Sequence, residues 1–239
     1  MSGHSKWSTI KRAKGAADAK RAVLFAKLSK KISIAAREGG SGDPVHNFKL
    51  RVEIEKARAQ SMPNDNIERA IKKGLGLGGG PAIEQIIYEG YGPFGVALLI
   101  EVATDNRNRT VQGVKHALTK SGGSLGSQGS TIWQFETIGQ IMIENNGEDM
   151  GNFQLIAIEA GAQEIEESKE GLIITTTPTT LGKITTQLKD AGAQIAASEI
   201  ISRSTQPIVL TAEQEAKIDL LVEQLEGDED VISVFTSVK

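Results

Sequence analysis

Apolar residues in the first third of the chain recur at helical spacing. Across 16–38, AADAKRAVLFAKLSKKISIAARE, Leu24, Leu28, Ile32 and Ala35 fall on one stripe, while Lys20, Lys27, Lys30, Lys31 and Arg37 lie mostly off it. Gly39 and Gly40 stop this helix. A second helix is predicted from GDP, with Asp43 as its cap and Pro44 in its first turn, running to about Gln60. Phe48, Val52 and Ile54 are its candidates for burial. SMPNDN then breaks the pattern, and Asn64 or Asp65 caps a third helix that Gly74 closes. Three short helices with short connections predict a small helical domain over 1–74.

The stretch GLGLGGGP (74–81) satisfies G-x-G-x-x-G through Gly74, Gly76 and Gly79. A dinucleotide site needs a strand before that motif and a helix after it, whereas here a helix precedes and a proline follows. Residues 75–81 therefore read as a flexible linker. Beyond it the period shortens. IEQIIYEGYG and FGVALLIEVAT read as two strands joined by a Gly/Pro turn, followed by a helix, NRTVQGVKHALTKSGG, with Val111, Val114 and Leu118 on one face, and by a strand, STIWQFE. The rhythm recurs as TIGQIMIE before NFQLIAIEAGAQEIEES, EGLIITTT before PTTLGKITTQLKDAGAQIAASEI, and QPIVLT before AEQEAKIDLLVEQLEGDEDVISVFTS. Related helix ends, two of them sharing AGAQ, mark a weak repeat of about 40–50 residues. Four such units build two split β-α-β sandwiches. The predicted fold is thus α+β and multidomain: an N-terminal helical domain followed by two ferredoxin-like α/β sandwich domains.

Composition adds constraints. Apolar residues make up 39% of the 239-residue chain but aromatics only 4%, so the cores are expected to be aliphatic. Cysteine is absent, which removes disulfides, thiolate metal sites and a Cys nucleophile. No secretory signal is visible at the start, and the most apolar run, VALLIEVA (96–103), is too short to span a bilayer. A soluble, cytoplasmic protein with no membrane partner is expected. The formal charge of −3 conceals an asymmetry: residues 1–80 hold 17 Lys/Arg and 7 Asp/Glu, a net of +10, and residues 81–239 hold 10 and 23, a net of −13. Such a split fits a basic part that meets phosphate, and equally a basic domain docked on an acidic one.

Catalytic chemistry is hard to place. His4, His46 and His116 sit in separate segments, no P-loop occurs, and no serine lies in a nucleophile elbow. The acidic clusters EIEESKE (164–170) and EGDEDV (226–231) read as solvated turns or edges. No catalytic residue, metal ligand, cofactor or small-molecule substrate is nominated. In TDNRNRT (104–110), Asp105 or Asn106 caps a helix, and Arg107 and Arg109 fall in or near its first turn, where cations oppose the helix dipole. They call for an anionic partner: Glu89 or Glu101 within the chain, or a phosphate outside it. The loop SGGSLGSQGS (121–130) is either a plain connection or a close approach to a phosphate backbone. At the N terminus, Lys6, Lys11, Arg12, Lys14, Lys20 and Arg21 surround Trp7, which serves either as a core anchor or as a stacking surface for a base. With Lys27, Lys30 and Lys31 of the first helix and Arg107 and Arg109, these are the candidate nucleic-acid-binding residues.

Five ordered blocks, GHSKWSTIKRAKGAADAKR at the start, MPNDNIERAIKKG (62–74), YEGYGPFGVALLIE (88–101), TDNRNRT (104–110) and GGSLGSQGS (122–130), together closely resemble the YebC family, which includes the mitochondrial translational activator of cytochrome oxidase subunit I. The resemblance implies a helical N-terminal domain and two α+β domains, the third inserted in the second: 82–136 plus 206–239, and 137–205. It further implies a regulator without enzymatic activity. Members are described as DNA-binding transcriptional regulators, and alternatively as translation factors acting on ribosomes stalled at proline-rich stretches. The expected partner is accordingly nucleic acid, either RNA of the ribosome or DNA, with ribosomal proteins as further contacts and a protein-interaction scaffold as a second alternative. The family start G-H-S-K-W is matched by Gly3, His4, Ser5, Lys6 and Trp7. Asn64 stands where many relatives carry Lys, and Ser124 where they carry Asn. The basic residues spread along a length instead of clustering at one helix start, which favours structured RNA over a DNA recognition helix.

Overall fold

The computed structural model describes residues 18–147 and 149–239, with side chains from Arg21 onward. Elements follow in the order α1 (Asp18–Glu38), α2 (Phe48–Ala59), α3 (Asn64–Gly74), β1 (Glu84–Tyr91), β2 (Ala97–Thr104), α4 (Arg107–Lys120), β3 (Ser124–Leu125), β4 (Phe135–Glu144), α5 (Met150–Ala160), β5 (Glu164–Ser168), β6 (Gly171–Thr176), α6 (Leu181–Asp190), β7 (Ile195–Ser204), α7 (Ala212–Glu226) and β8 (Val231–Thr236). A helical region thus precedes two mixed α/β sheets. The chain divides into two compact units: Ala16–Trp133 with Ile208–Val238, and Gln134–Pro207 with Lys239.

In the first unit the helices pack through aliphatic side chains. Leu28, Ile32, Ala35 and Ala36 of α1 meet Leu50, Ile54 and Ala57 of α2 and Met62, Ile67 and Ala70 around α3. Each fully buried Ile or Leu contributes roughly 1.5–3 kcal/mol. The predicted start of α2 is corrected by four residues. Asn47, not Asp43, caps it: its Oδ1 accepts from Leu50 N at 3.1 Å, while its amide donates to Ala35 O at 2.8 Å, tying the end of α1 to the start of α2. Asp43 instead turns the preceding loop by accepting from Val45 N at 2.8 Å. With the helix phased by Leu50, Ile54 and Ala57, Phe48 points outward and is 67% exposed, contrary to its expected burial. The third helix has Pro63 at its cap position and no side-chain cap, so neither Asn64 nor Asp65 plays the role predicted for it.

The first sheet has the order β3-β1-β2-β8. β1 and β2 form an antiparallel hairpin in register from Glu84↔Thr104 to Tyr91↔Ala97. β8, far later in the sequence, pairs antiparallel with β2, Leu98 opposite Thr236. α4 and α7 cover one face, where Leu98, Ile100, Val114, Leu118, Ile218 and Leu221 are buried. The second unit runs β4-α5-β5-β6-α6-β7, with sheet order β5-β6-β4-β7 and every pair antiparallel. That order and path are ferredoxin-like. Its core joins Ile141, Ile143, Leu172 and Ile174 of the sheet to Phe153, Ala157, Ile184 and Leu188 of the helices.

Three strand expectations are corrected. STIWQFE is not a strand: Ile132–Gln134 form a 3-10 turn and extended pairing begins at Phe135. EIEES, placed at a turn with a solvated face or edge as its role, forms strand β5: the turn gives way to extended pairing, and the strand is an edge of its sheet with Ile165 toward the core. Charged side chains on such an edge discourage pairing with another chain. QPIVLT contributes one isolated bridge, Ile208↔Val238, and no strand.

Candidate nucleic-acid interface

Two carboxylates organise the surroundings of the expected basic residues. Asp230 sits between α7 and β8 and is 1% exposed. Its own backbone fixes it there: Ala103 N donates to Asp230 O at 2.8 Å where the β2–β8 register shifts, and Asp230 N donates to Asp228 Oδ1 at 2.8 Å. The carboxylate receives Lys30 Nζ of α1 at 2.5 Å, Arg109 Nη2 and Nε of α4 at 2.7 and 3.1 Å, and Thr110 Oγ1 at 2.7 Å. Burial opposes its ionisation, but the donors from Lys30, Thr110 and Arg109 outweigh that penalty and hold its pKa below the ordinary value. Asp105, at the start of the α4 turn, adds a second anion, 3.2 Å from Lys73 Nζ and 3.3 Å from Arg109 Nη2. Burial again opposes ionisation of Asp105, and Lys73 and Arg109 bring its pKa down. Asn106 caps α4, accepting from Arg109 N at 3.1 Å.

The partner of Arg109 is therefore internal, and it is Asp230 with Asp105, not Glu89 or Glu101. The cluster EGDEDV is corrected likewise: its Asp230 is a buried hub and not part of a solvated face. Lys30 also donates to Glu229 O at 2.8 Å, and Lys27 to Glu226 O at 2.7 Å. Burial above all lowers the Lys27 pKa. Lys27, Lys30 and Arg109, three of the cations expected to face phosphate, are thus occupied by the C-terminal segment of the same unit. Arg107 is exposed, 3.9 Å from Glu84.

Glu89 has a different task. Its side chain, in a residue 4% exposed, accepts from Gly129 N at 2.6 Å, Thr131 N at 2.7 Å and Ile132 N at 2.8 Å. Burial penalises this charge, and the backbone donors more than offset it, so its pKa is lowered. The glycine-rich loop thus wraps an anion belonging to the chain itself. Backbone N–H groups that cradle Glu89 are not offered to a phosphate, and because Thr131 and Ile132 point their N–H groups at Glu89, the strand expected there does not form.

Other cations of the helical region face outward. Arg21, Arg58 and Lys72 are exposed, without an ion-pair partner among the described residues, and Arg51 lies over the Phe48 ring, its Cζ 5.1 Å from the centroid. Lys31 is half-buried on α1. The expected contacts Lys6, Trp7, Lys11, Arg12 and Lys14 lie outside the described residues, and Lys20 is on α1 with its side chain outside them. Arg51, Arg58 and Lys72 were not singled out by the sequence, because charge on the second and third helices is mixed and Phe48 was assigned to the core. Among the described residues, no three His, Asp or Glu side chains gather as a metal site, and no helix is long and apolar enough to cross a membrane.

Comparison with known proteins places these features in a family. The model of the TACO1/YebC N-terminal domain matches residues 5–77, and that of the TACO1/YebC second and third domain matches residues 83–238. A "probable transcriptional regulatory protein" of Chloroflexus aggregans is 49% identical, the match covering 100% of this chain and 95% of that one. One of Thermoanaerobacter pseudethanolicus, named in the same words, is 44% identical over 100% and 97% of the two chains. The crystal structure of a conserved hypothetical protein from Aquifex aeolicus superposes with a TM-score of 0.83 at 38% identity, covering 93% of this chain and 91% of that one. With both domain models matched in order along its length, the chain belongs to the TACO1/YebC family.

Proposed function

We propose that this chain is a non-enzymatic regulator of gene expression that binds nucleic acid through its N-terminal helical region. The observation that carries the reading is the outward set of cations without an ion-pair partner among the described residues, Arg21, Arg58 and Lys72, on three helices of a segment whose residues 1–80 have a net charge of +10. Cations without internal partners gain most from phosphate, since binding releases condensed counterions and breaks no existing salt bridge. The inward cations define the limits of that surface: Lys30 and Arg109 would have to leave a buried carboxylate to reach a ligand.

Structured RNA, in a role at the ribosome during translation, is the target we favour. The cations are spread over α1, α2 and α3, and the first turn of α3 carries Asp65, a carboxylate where a DNA recognition helix presents its reading residues. The second reading, transcriptional regulation on duplex DNA, is favoured by the names of the relatives. A salt titration separates them. Affinity for a ribosomal RNA fragment should fall linearly in log salt, by about 0.7–0.9 per phosphate neutralised, and exceed affinity for duplex DNA of equal length at every salt concentration. The reverse order would favour the second reading. Reversing Lys11, Arg12 and Lys14 together to Glu should abolish binding while the circular dichroism melt stays in place; full binding by that variant refutes the contribution of these three cations.

A further inference from the structure

The exposed side of α2 carries an aromatic ring that the helical core does not use. Phe48 is 67% exposed, because Leu50, Ile54 and Ala57 already fill the buried face. Phe48, Arg51, Glu55 and Arg58 follow at spacings of three, four and three, so they line up along the opposite side. The Arg51 guanidinium lies over the phenyl ring at 5.1 Å from its centroid. Arg51 is also one wall of a shallow depression of ≈ 200 Å³, whose other walls are Pro44, Val45, Ile54, Glu55 and Arg58. Val45, at its rim, is 75% exposed.

Size and charge narrow the occupant. The depression is smaller than the about 300–1,000 Å³ of small-molecule sites, so a whole nucleotide cofactor is too large while one planar ring is not. Arginine borders it at two points, and Arg58 has no ion-pair partner among the described residues. A flat apolar ring joined to a negative backbone satisfies the aromatic and the guanidinium groups together. A base inside a duplex has both faces covered by its neighbours, so only an unpaired base presents a face to Phe48.

We infer that the Phe48–Arg51–Arg58 face of α2 is a stacking platform for one unpaired base of a single-stranded nucleic acid. Phe48 supplies the flat surface, and Arg51 completes it by cation–π stacking. Glu55 accepts a hydrogen bond from the amino group of a base. Arg58, about 15 Å along the helix from Phe48 at 1.5 Å rise per residue, meets the strand's phosphates beyond the stacked base. This inference rests on the reading of the chain as a nucleic-acid binder and deepens it by naming an unpaired strand as what α2 receives.

The test uses the full chain and fluorescein-labelled oligonucleotides: single-stranded RNA, single-stranded DNA of the same sequence, and the DNA duplex, followed by anisotropy over a salt series that starts low, with variants compared at matched salt. Phe48→Ala, a surface change that leaves the core intact, should weaken single-strand binding about tenfold and change duplex binding less than twofold. Phe48→Trp should keep wild-type affinity and show quenched emission on binding, relative to the wild-type signal from Trp7 and Trp133. A loss on RNA alone, on DNA alone or on both supports the platform and names its source. Unchanged single-strand affinity in Phe48→Ala overturns it, as does an equal loss on single strands and duplex. If the wild-type chain binds no nucleic acid even at low salt, the functional reading falls and takes this inference with it. If the wild type binds with a steep salt dependence and Phe48→Ala binds equally well, only the inference falls.

Discussion

Asp230 receives cations from two separate helices, and its value to the fold depends on its charge. Replacing it with Asn keeps the size but leaves Lys30, whose side chain is 12% exposed, and Arg109, which is half-exposed, facing a neutral group. Breaking a buried pair from one side costs about 3–5 kcal/mol, and solvent around Arg109 brings the expected loss to or just below the lower bound, at roughly 2–3 kcal/mol at pH 7. The pH dependence follows from the direction of the shift. The folded pKa of Asp230 lies below its unfolded value, so its contribution is complete above the ordinary Asp pKa of about 3.9 and is lost as pH falls through the depressed folded value. Urea denaturation of wild type and Asp230→Asn between pH 7 and pH 2 should show a stability gap that is constant near neutrality and closes in acid. A gap that does not change with pH would mean that packing, and not charge, is what Asp230 supplies.

At the scale of elements, α1 and α3 approach so closely that a side chain at their crossing is excluded. A Cβ on Gly74 would lie 2.2 Å from Ser33 O, backbone that cannot swing aside. Ser33 Oγ donates to Ala70 O at 2.7 Å in the same contact. Gly74→Ala should therefore destabilise the first unit by about 1–3 kcal/mol in denaturant titration. Gly182→Ala on α6, where a Cβ meets nothing within 4 Å, should be neutral or stabilising by up to about 1 kcal/mol. Equal effects at the two positions would show that helix propensity, and not the crossing, governs Gly74. Much of this level was legible in the sequence: the three N-terminal helices, the β1–β2 hairpin, α4 with Val114 and Leu118 inward, and the alternation of strand and helix that builds both sheets. What escaped has a common physical cause. Asn47 took over the cap of α2 because its amide also reaches Ala35 O, a contact between helices that no local pattern reports. The Ser130–Ile132 stretch lost its strand to Glu89, more than forty residues earlier in the chain. Asp230 looked like one acid among several until Lys30 and Arg109 arrived from elsewhere. Local period survives in the sequence, whereas partners distant along the chain do not.

At the scale of the molecule, the two units differ in how their sheets are closed. Gln134–Pro207 contains all four strands of its sheet and both covering helices, and among the described residues its core cluster lies wholly within that range. Expressed alone, residues 134–207 should give a cooperative thermal transition and dispersed amide resonances; a molten spectrum would count against the self-sufficiency of this core. The first unit cannot be isolated in that way, since β2 needs β8 along one side. Synthesis from the N terminus gives this arrangement an order in time. Lys30 and Arg109 are made 200 and 121 residues ahead of Asp230, so both exist before the carboxylate that later holds them. The inserted unit has every strand it requires before β8 is made, and the hairpin that began earlier must wait for it. A strand made after the whole of the unit it follows therefore finishes a sheet begun before that unit, and the residue just ahead of it neutralises two cations made long before, so the charge pattern of the basic helix is settled only when β8 arrives.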